Sequence, residues 1–298
     1  MEHPKRRTIL ALTAAVVAAV TAACTRRPAG RTPAASAAAV PPERYAYGGD
    51  PSQFADLYLP AGQAVAGVIV IIHGGYWRST YGAELGEPLA QDLVQRGYAC
   101  WNLEYRRVGN GGGWPATFDD VAAGIDLLAT AAEEHGFTTG ATAALGHSAG
   151  GHLAVWAAGR ATLPAGAPGS GTPRVKLRAV VSQSGVLDLA DAQRLGLSNG
   201  AVESLLGAGP GDDPERYRLA DPMAAVPLDV PVFALHGEDD ATVPLSQSTS
   251  YVDAARRAGA EATLTVIPGD HFAMIEPGTR AWERVVGTLE RALGSARD

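Results

Sequence analysis

Residues Gly146-His147-Ser148-Ala149-Gly150 constrain this chain more than any other stretch. Ahead of them, Ala141 to Leu145 is a short apolar run of the length of a buried strand. Behind them, Gly151 to Arg160 has the composition of a helix packed on one face. A serine between such a strand and such a helix sits on a very sharp turn. The positions flanking it need glycine, because a Cβ there would collide with neighbouring backbone. The turn lifts the serine Oγ into the open above the sheet. The helix N-terminus behind it offers unpaired N–H groups to a developing negative charge. The motif therefore implies a strand–turn–helix unit of a layered α/β fold and a serine placed to act as a nucleophile.

A serine nucleophile needs a base, and the base needs an orienting carboxylate. In the known folds that carry an elbow which this one resembles, the partners follow in the chain order carboxylate, then histidine. The chain holds seven histidines, and only His236 and His271 follow Ser148 at any distance. His236 ends the apolar run Val230 to Leu235 and leads into Gly237-Glu238-Asp239-Asp240-Ala241-Thr242-Val243-Pro244, a strand followed by an acidic loop. His271 follows a second strand-like run, Ala262 to Ile267, within the loop Pro268-Gly269-Asp270-His271-Phe272. It is the one histidine after the acidic loop, which makes it the expected base. Adjacent residues leaving a strand point in opposite directions, so only one of Asp239 and Asp240 can face it.

Val68 to Ile72 is a continuous β-branched run, which suits a strand buried on both faces. It ends in His73-Gly74-Gly75-Tyr76-Trp77. Glycines here let the backbone approach a bound carbonyl and turn N–H groups towards it. The expected oxyanion donors are the N–H groups of Gly74, Gly75 and Ala149, the residue after the nucleophile. His73 precedes the elbow and suits a loop-bracing hydrogen bond better than a base. Trp77 is expected to pack in the core.

With these residues in place, the chain resembles the α/β-hydrolases of the esterase/lipase kind, from about Tyr45 to the C-terminus. Gly237-x-x-Asp240-x-x-Val243-Pro244 resembles their acid loop, and this resemblance assigns the carboxylate to Asp240 rather than Asp239. His73-Gly74-Gly75-Tyr76-Trp77 with Gly146-His147-Ser148-Ala149-Gly150-Gly151-His152-Leu153 is similar to the kynurenine formamidase (arylformamidase) branch. The hormone-sensitive-lipase branch usually shows a third glycine where this chain has Tyr76. The resemblance implies a serine hydrolase that cleaves a carboxylic ester through an acyl-enzyme, with a small-molecule acyl substrate and neither metal nor organic cofactor. Aryl formamide hydrolysis is the first alternative. A prolyl-oligopeptidase-like peptidase is the second, although the short stretch before the first strand leaves no room for its usual propeller. A non-catalytic binding lipoprotein would show a degraded triad, and here all three positions are filled.

The rest of the chain alternates as such a fold requires. Strands are expected at Phe54 to Leu59, Val68 to Ile72, around Cys100, at Arg178 to Gln183, Val230 to Leu235 and Ala262 to Ile267. Helices are expected at about Ala83 to Arg96, Phe118 to His135, Ser246 to Ala258 and Trp282 to Leu293. This order predicts a mostly parallel central sheet with helices on both faces. The pattern breaks from Ser184 to Leu228, which reads as a small cap insertion. Tyr76 and Trp114, the latter in the Gly109 to Trp114 loop, are expected to wall a substrate pocket with that cap. Cys100 lies in an expected central strand and reads as a buried, inert thiol.

The 298 residues carry a net charge of −7 and 46% hydrophobic residues, enough apolar material for a two-sided core. There is no basic stripe beyond residue 31, which argues against nucleic acid. No phosphate-cradling loop or paired metal-ligand spacing is present. Residues 1–23 have the order of an export signal: basic Lys5-Arg6-Arg7, an apolar stretch Ile9 to Ala23, then small residues before a cysteine. Arg6-Arg7-Thr8-Ile9-Leu10 resembles a twin-arginine signal. Thr21-Ala22-Ala23-Cys24 resembles a bacterial lipobox, with threonine where leucine is usual. The expectation is a protein exported and anchored by lipid at Cys24 to the outer face of the membrane, or secreted. Residues 24–42, rich in Ala and Pro, would form a tether, and 43–298 the hydrolase domain.

Overall fold

The computed structural model describes residues 41–62 and 65–294. The expected export signal, Cys24 and all but the end of the tether lie outside these residues. Eight strands form one sheet: β1 (Glu43–Ala46), β2 (Phe54–Tyr58), β3 (Val68–Ile72), β4 (Ala99–Leu103), β5 (Thr142–His147), β6 (Ala179–Gln183), β7 (Val232–Gly237) and β8 (Ala262–Ile267). Their spatial order is β1-β2-β4-β3-β5-β6-β7-β8. β1 pairs antiparallel with β2, and β2 with β4; from β4 to β8 every pairing is parallel. The expected strands appear within two residues of their expected bounds. β1 was not expected. It is four residues long, largely exposed, and held by its register, in which Arg44 faces Asp56 and grips it through two hydrogen bonds of 2.8 Å.

Alternation along β3 explains the layering. Val68, Val70 and Ile72 enter one core, while Ile69 and Ile71 enter the other. The second core is closed by α1 (Glu87–Gln95) through Leu89 and Leu93, and by α8 (Arg280–Gly294) through Trp282, Val285 and Leu289. The first is closed by α2 (Ala116–His135), α3 (Ala149–Gly159) and α7 (Ser246–Arg257). α3 is apolar all round, as befits a helix buried on every side. It starts directly at Ala149, two residues earlier than the periodicity suggests. The expected helix from Ala83 opens as a separate 3₁₀ turn, Ala83–Leu85, before α1.

Between β6 and β7 the chain forms three short helices, α4 (Leu189–Arg194), α5 (Ala201–Leu206) and α6 (Pro214–Ala220), and a 3₁₀ turn at Pro222–Ala225. Each helix is six or seven residues long, too short to stand alone in water. They are held by burial of Leu189, Val202, Leu205, Leu206 and Tyr217 in the first core. Asp188 and Asp213 cap α4 and α6 by accepting backbone N–H bonds.

Trp101 anchors the first core from β4. It is fully buried, and its indole N–H donates to the carbonyl of Gly124 in α2 at 2.9 Å. Trp101→Ala removes a large buried ring and leaves that carbonyl without its partner. Unfolding free energy should drop by about 3–5 kcal/mol, read as a lower denaturant midpoint in chemical unfolding.

Candidate active site

The C-terminal ends of the parallel strands deliver the site. β5 ends at His147, and Ser148 occupies the turn with φ 55° and ψ −118°, outside the ordinary basins for a residue with a Cβ. The glycines around it permit this. A Cβ on Gly146 would lie 2.2 Å from the carbonyl oxygen of Gly150, and one on Gly150 would lie 1.9 Å from that of Ile72. The turn is pinned to the neighbouring strand because Ser148 N–H donates to Gln183 O at 2.8 Å.

Two loops meet beside this serine. His271 Nδ1 donates to Asp240 Oδ2 at 2.7 Å. The other carboxylate oxygen, Oδ1, accepts the N–H groups of Thr242 and Val243, both at 2.8 Å. Ser184, which follows β6, adds a side-chain hydrogen bond to the same carboxyl. Burial pushes this carboxyl up, but the bonds from His271, Val243 and Ser184 outweigh burial and hold it at about 2. Asp240 is thus an anion whose side chain is 1% exposed. Asp239 is exposed. With Nδ1 occupied, the free ring nitrogen of His271 is Nε2.

Three other histidines crowd the region, and burial lowers the pKa of each. His147 falls to about 3, and a repulsive contribution from His271 adds to burial. Its Nε2 donates to the carbonyl of His271 at 2.9 Å, so it holds the backbone of the neighbouring histidine. His152 falls to about 4. It accepts from the Trp77 indole at 3.2 Å and donates to Ala220 O at 3.0 Å, joining the loop after β3 to the end of α6. His236 donates to Val243 O at 2.9 Å and accepts from Ser248 at 2.8 Å, and so braces the acid loop.

The loop after β3 carries the expected oxyanion glycines. Gly74 lies against the elbow: a Cβ there would be 2.8 Å from His147 O and 3.0 Å from Ser148 Cβ. Gly75 has φ +110°, which favours glycine. Ala149 is fully buried at the first position of α3. His73 braces this loop. Its Nδ1 donates to Gly74 O at 2.8 Å, its ring stacks on Tyr105 at 4.4 Å, and Nε2 lies 3.2 Å from Glu104 Oε1. Burial pushes the Glu104 carboxyl up, but His73, Arg107 and the Ala83 N–H pull it below its ordinary value.

Tyr76 is half-buried, and its hydroxyl donates to Thr242 O at 2.8 Å. β5 and β6 lie between β3 and β7, so the oxyanion loop and the acid loop are clasped together above the ends of those two strands. Arg78 adds a tie from the same loop to Ser198 in the β6–β7 segment. Trp77 is fully buried. Trp114 packs edge-on against Phe118 with centroids 5.1 Å apart, and its backbone N–H donates to Leu205 O at 2.7 Å, so it is a joint between the 109–114 loop and α5. Cys100 is fully buried, and burial pushes its thiol far up. The sequence reading missed Ser184, Glu104, the backbone grip of His147 and the Tyr76 clasp. Only Ser184 left a trace, as a hydroxyl directly after a strand end and before a glycine.

The parallel sheet, the serine elbow and the paired His271 and Asp240 define an esterase/lipase-type α/β-hydrolase. Residues 55–254 match the model of the BD-FAE family, and the chain belongs to that family. Among curated proteins it is similar to the esterase LipQ of Mycobacterium tuberculosis, 30% identical over 70% of this chain and 50% of the relative. It is also similar to the isoprenylcysteine alpha-carbonyl methylesterase ICME of Arabidopsis thaliana, 28% identical over 75% of this chain and 54% of the relative. The chain thus spans about half the length of the curated relatives it matches. Among solved structures it superposes on esterase B from Lactobacillus rhamnosis with a TM-score of 0.73 at 22% identity, covering 85% of each chain. A truncated carbohydrate esterase from gut microbiota gives 0.69 at 23%, covering 87% of this chain and 99% of that one. These last two likenesses concern the fold.

The buried histidines set the acid limit. Their pKa values are lower in the fold than the unfolded value of about 6.5, so the unfolded chain binds more protons in this window and stability is lost as pH falls. Asp221 works the opposite way between its ordinary value and about 6, because burial raises it. Three lowered histidines outweigh one raised carboxyl. The urea midpoint should therefore fall on going from pH 7 to pH 5, and His152→Gln should flatten that dependence.

Proposed function

We propose that this protein is a serine carboxylesterase acting on a small-molecule acyl ester, with Ser148 as nucleophile, His271 as base and Asp240 as the orienting carboxylate. The 2.7 Å bond between His271 and a buried, anionic Asp240, next to the strained Ser148 turn, carries the reading. Membership of an esterase/lipase-type family and the similarity to named esterases support it.

His271 Nε2 takes the Ser148 proton as Oγ attacks the carbonyl carbon. The π electrons move to oxygen, which is received by the N–H groups of Gly74, Gly75 and Ala149, each donor contributing roughly 3 kcal/mol. The imidazolium, stabilised by Asp240, returns its proton to the leaving oxygen as the C–O bond breaks. Water, deprotonated by the same His271, then attacks the acyl carbon, and the proton passes from His271 to Ser148 Oγ as its bond to the acyl group breaks and the acid leaves. Tyr76 and Trp114 act in this reading as walls of the substrate site and hold the loops that shape it.

Ser148→Ala should abolish ester turnover and fluorophosphonate labelling with little change in thermal midpoint. Asp240→Asn should lower kcat by orders of magnitude by removing the charge that orients His271, and Asp239→Asn should cost little. A kinetic panel of acyl esters with aryl formamides and proline anilides as comparison substrates reads both. Equal losses for the two aspartates would break the assignment of Asp240.

The same proposal extends to location. The basic, apolar and small-residue order before Cys24, followed by Ala- and Pro-rich sequence, supports export and acylation at Cys24. Stable anchoring needs more than one acyl chain. Cys24→Ser should shift the protein from the membrane to the soluble fraction or block its processing. Mass spectrometry of the mature N-terminus checks this, and an unmodified terminus beyond Cys24 would contradict it.

A further inference from the structure

Large apolar side chains left in solvent are informative when they gather in one place. Among the described residues those exposed are Tyr81, Leu195, Leu245, Val266 and Phe272. Val266 lies on the edge strand β8. The other four lie on the connections that leave the C-terminal ends of β3, β6, β7 and β8, the edge of the sheet that carries the site. Two of them touch the site itself. Phe272, 53% exposed, stands edge-on to His271 with centroids 5.2 Å apart and lies 6.0 Å from the His147 ring. Tyr81, 49% exposed, covers Gly75 so closely that a Cβ on that glycine would be 2.6 Å from Tyr81 Cβ.

Between these two aromatic rings the contacts are continuous. Tyr81 lies on Gly75. Gly74 follows, and a Cβ on it would be 3.1 Å from His147 Nδ1. The His147 ring lies 4.6 Å from that of His271 and 6.0 Å from that of Phe272. Gly75, Gly74 and the neutral His147 imidazole thus link Tyr81 to Phe272 in one run of contacts beside the elbow.

The chemistry says which half of an ester lies there. His271 must hand its proton to the departing oxygen, so the leaving group emerges on the His271 side of Ser148. On that side Phe272 packs edge-on to the imidazole and is exposed to solvent. We propose that Tyr81 and Phe272 form a leaving-group subsite that selects esters of planar aromatic alcohols. The inference rests on the esterase reading above and adds the class of alcohol that is released. An aromatic leaving group packed against these exposed rings gains an interaction that a short alkyl alcohol cannot make.

The test compares two acetates, which share one acetyl-enzyme and differ in the leaving group. The ratio of kcat/KM for 1-naphthyl acetate over ethyl acetate is measured in the wild type and in Phe272→Ala, Tyr81→Ala and Phe272→Tyr. Both alanine variants should lower the ratio at least about fivefold, and Phe272→Tyr should restore most of it. A disturbance of His271 itself slows ethyl acetate at least as much, because ethoxide needs a proton from the imidazole more than 1-naphtholate does, so it cannot lower the ratio. A ratio unmoved by either alanine overturns the proposal. If the wild type hydrolyses neither ester, ligand-observed NMR of 1-naphthol binding decides in its place. Binding lost in Phe272→Ala then supports the subsite while the hydrolysis reading falls. Binding indifferent to both substitutions, or absent in the wild type, overturns the subsite.

Discussion

The close approach of the serine turn to β3 is the constraint on which the rest of the structure depends. The backbone at Gly150 comes so near Ile72 O that no side chain fits between them, and Gly146 faces Gly150 in the same way. That approach forces Ser148 to φ 55°, a conformation that costs on the order of 1–3 kcal/mol. It also starts α3 immediately after the serine and sets Gly74 against the elbow. The strain persists because α3 is buried on all sides and Ser148 is bonded to the end of β6. A looser turn would move the serine away from the oxyanion loop and His271 away from the serine.

Around this fixed point the protein uses imidazole in two distinct ways. His147, His152 and His236 each lie in an environment that disfavours the charged form, and each spends its N–H on a backbone carbonyl. They are neutral struts. His271 instead faces a carboxylate held as an anion by backbone N–H groups. Asp240 also lies 3.5 Å from His236 Nε2, but that nitrogen is nearer to Val243 O, at 2.9 Å. The carboxylate therefore has one committed imidazole partner, and its charge is directed at the ring that moves protons.

Much of this was legible in the residues. Val68–Ile72 and Ala262–Ile267 are strands to the residue, because β-branched runs between turn residues admit few alternatives. The glycines of the elbow announce its geometry, since only a tight turn needs them. Pairing of Asp240 rather than Asp239 with His271 follows the spacing of the loop, not the identity of either residue. Other features had no local signal. β1 is four residues held by cross-strand pairing. Glu104 reaches His73 only because β4 lies beside β3. The Tyr76 clasp ends on a backbone carbonyl, and every residue has one. Such contacts are set by strand order, which no window of sequence contains.

The clasp between Tyr76 and Thr242 joins positions 166 residues apart through one hydroxyl and one carbonyl. A single hydrogen bond of this kind contributes a net ~1 kcal/mol, whereas a whole domain resists unfolding by roughly 5–15 kcal/mol. The two loops can therefore part while the sheet and both cores stay intact. Heating is therefore expected to loosen the alignment of oxyanion donors with the acid loop before the fold gives way. On that expectation working temperature and survival temperature are separate properties of this molecule, the first set at the joint between two loops and the second by Trp101, Trp282 and the strands between them.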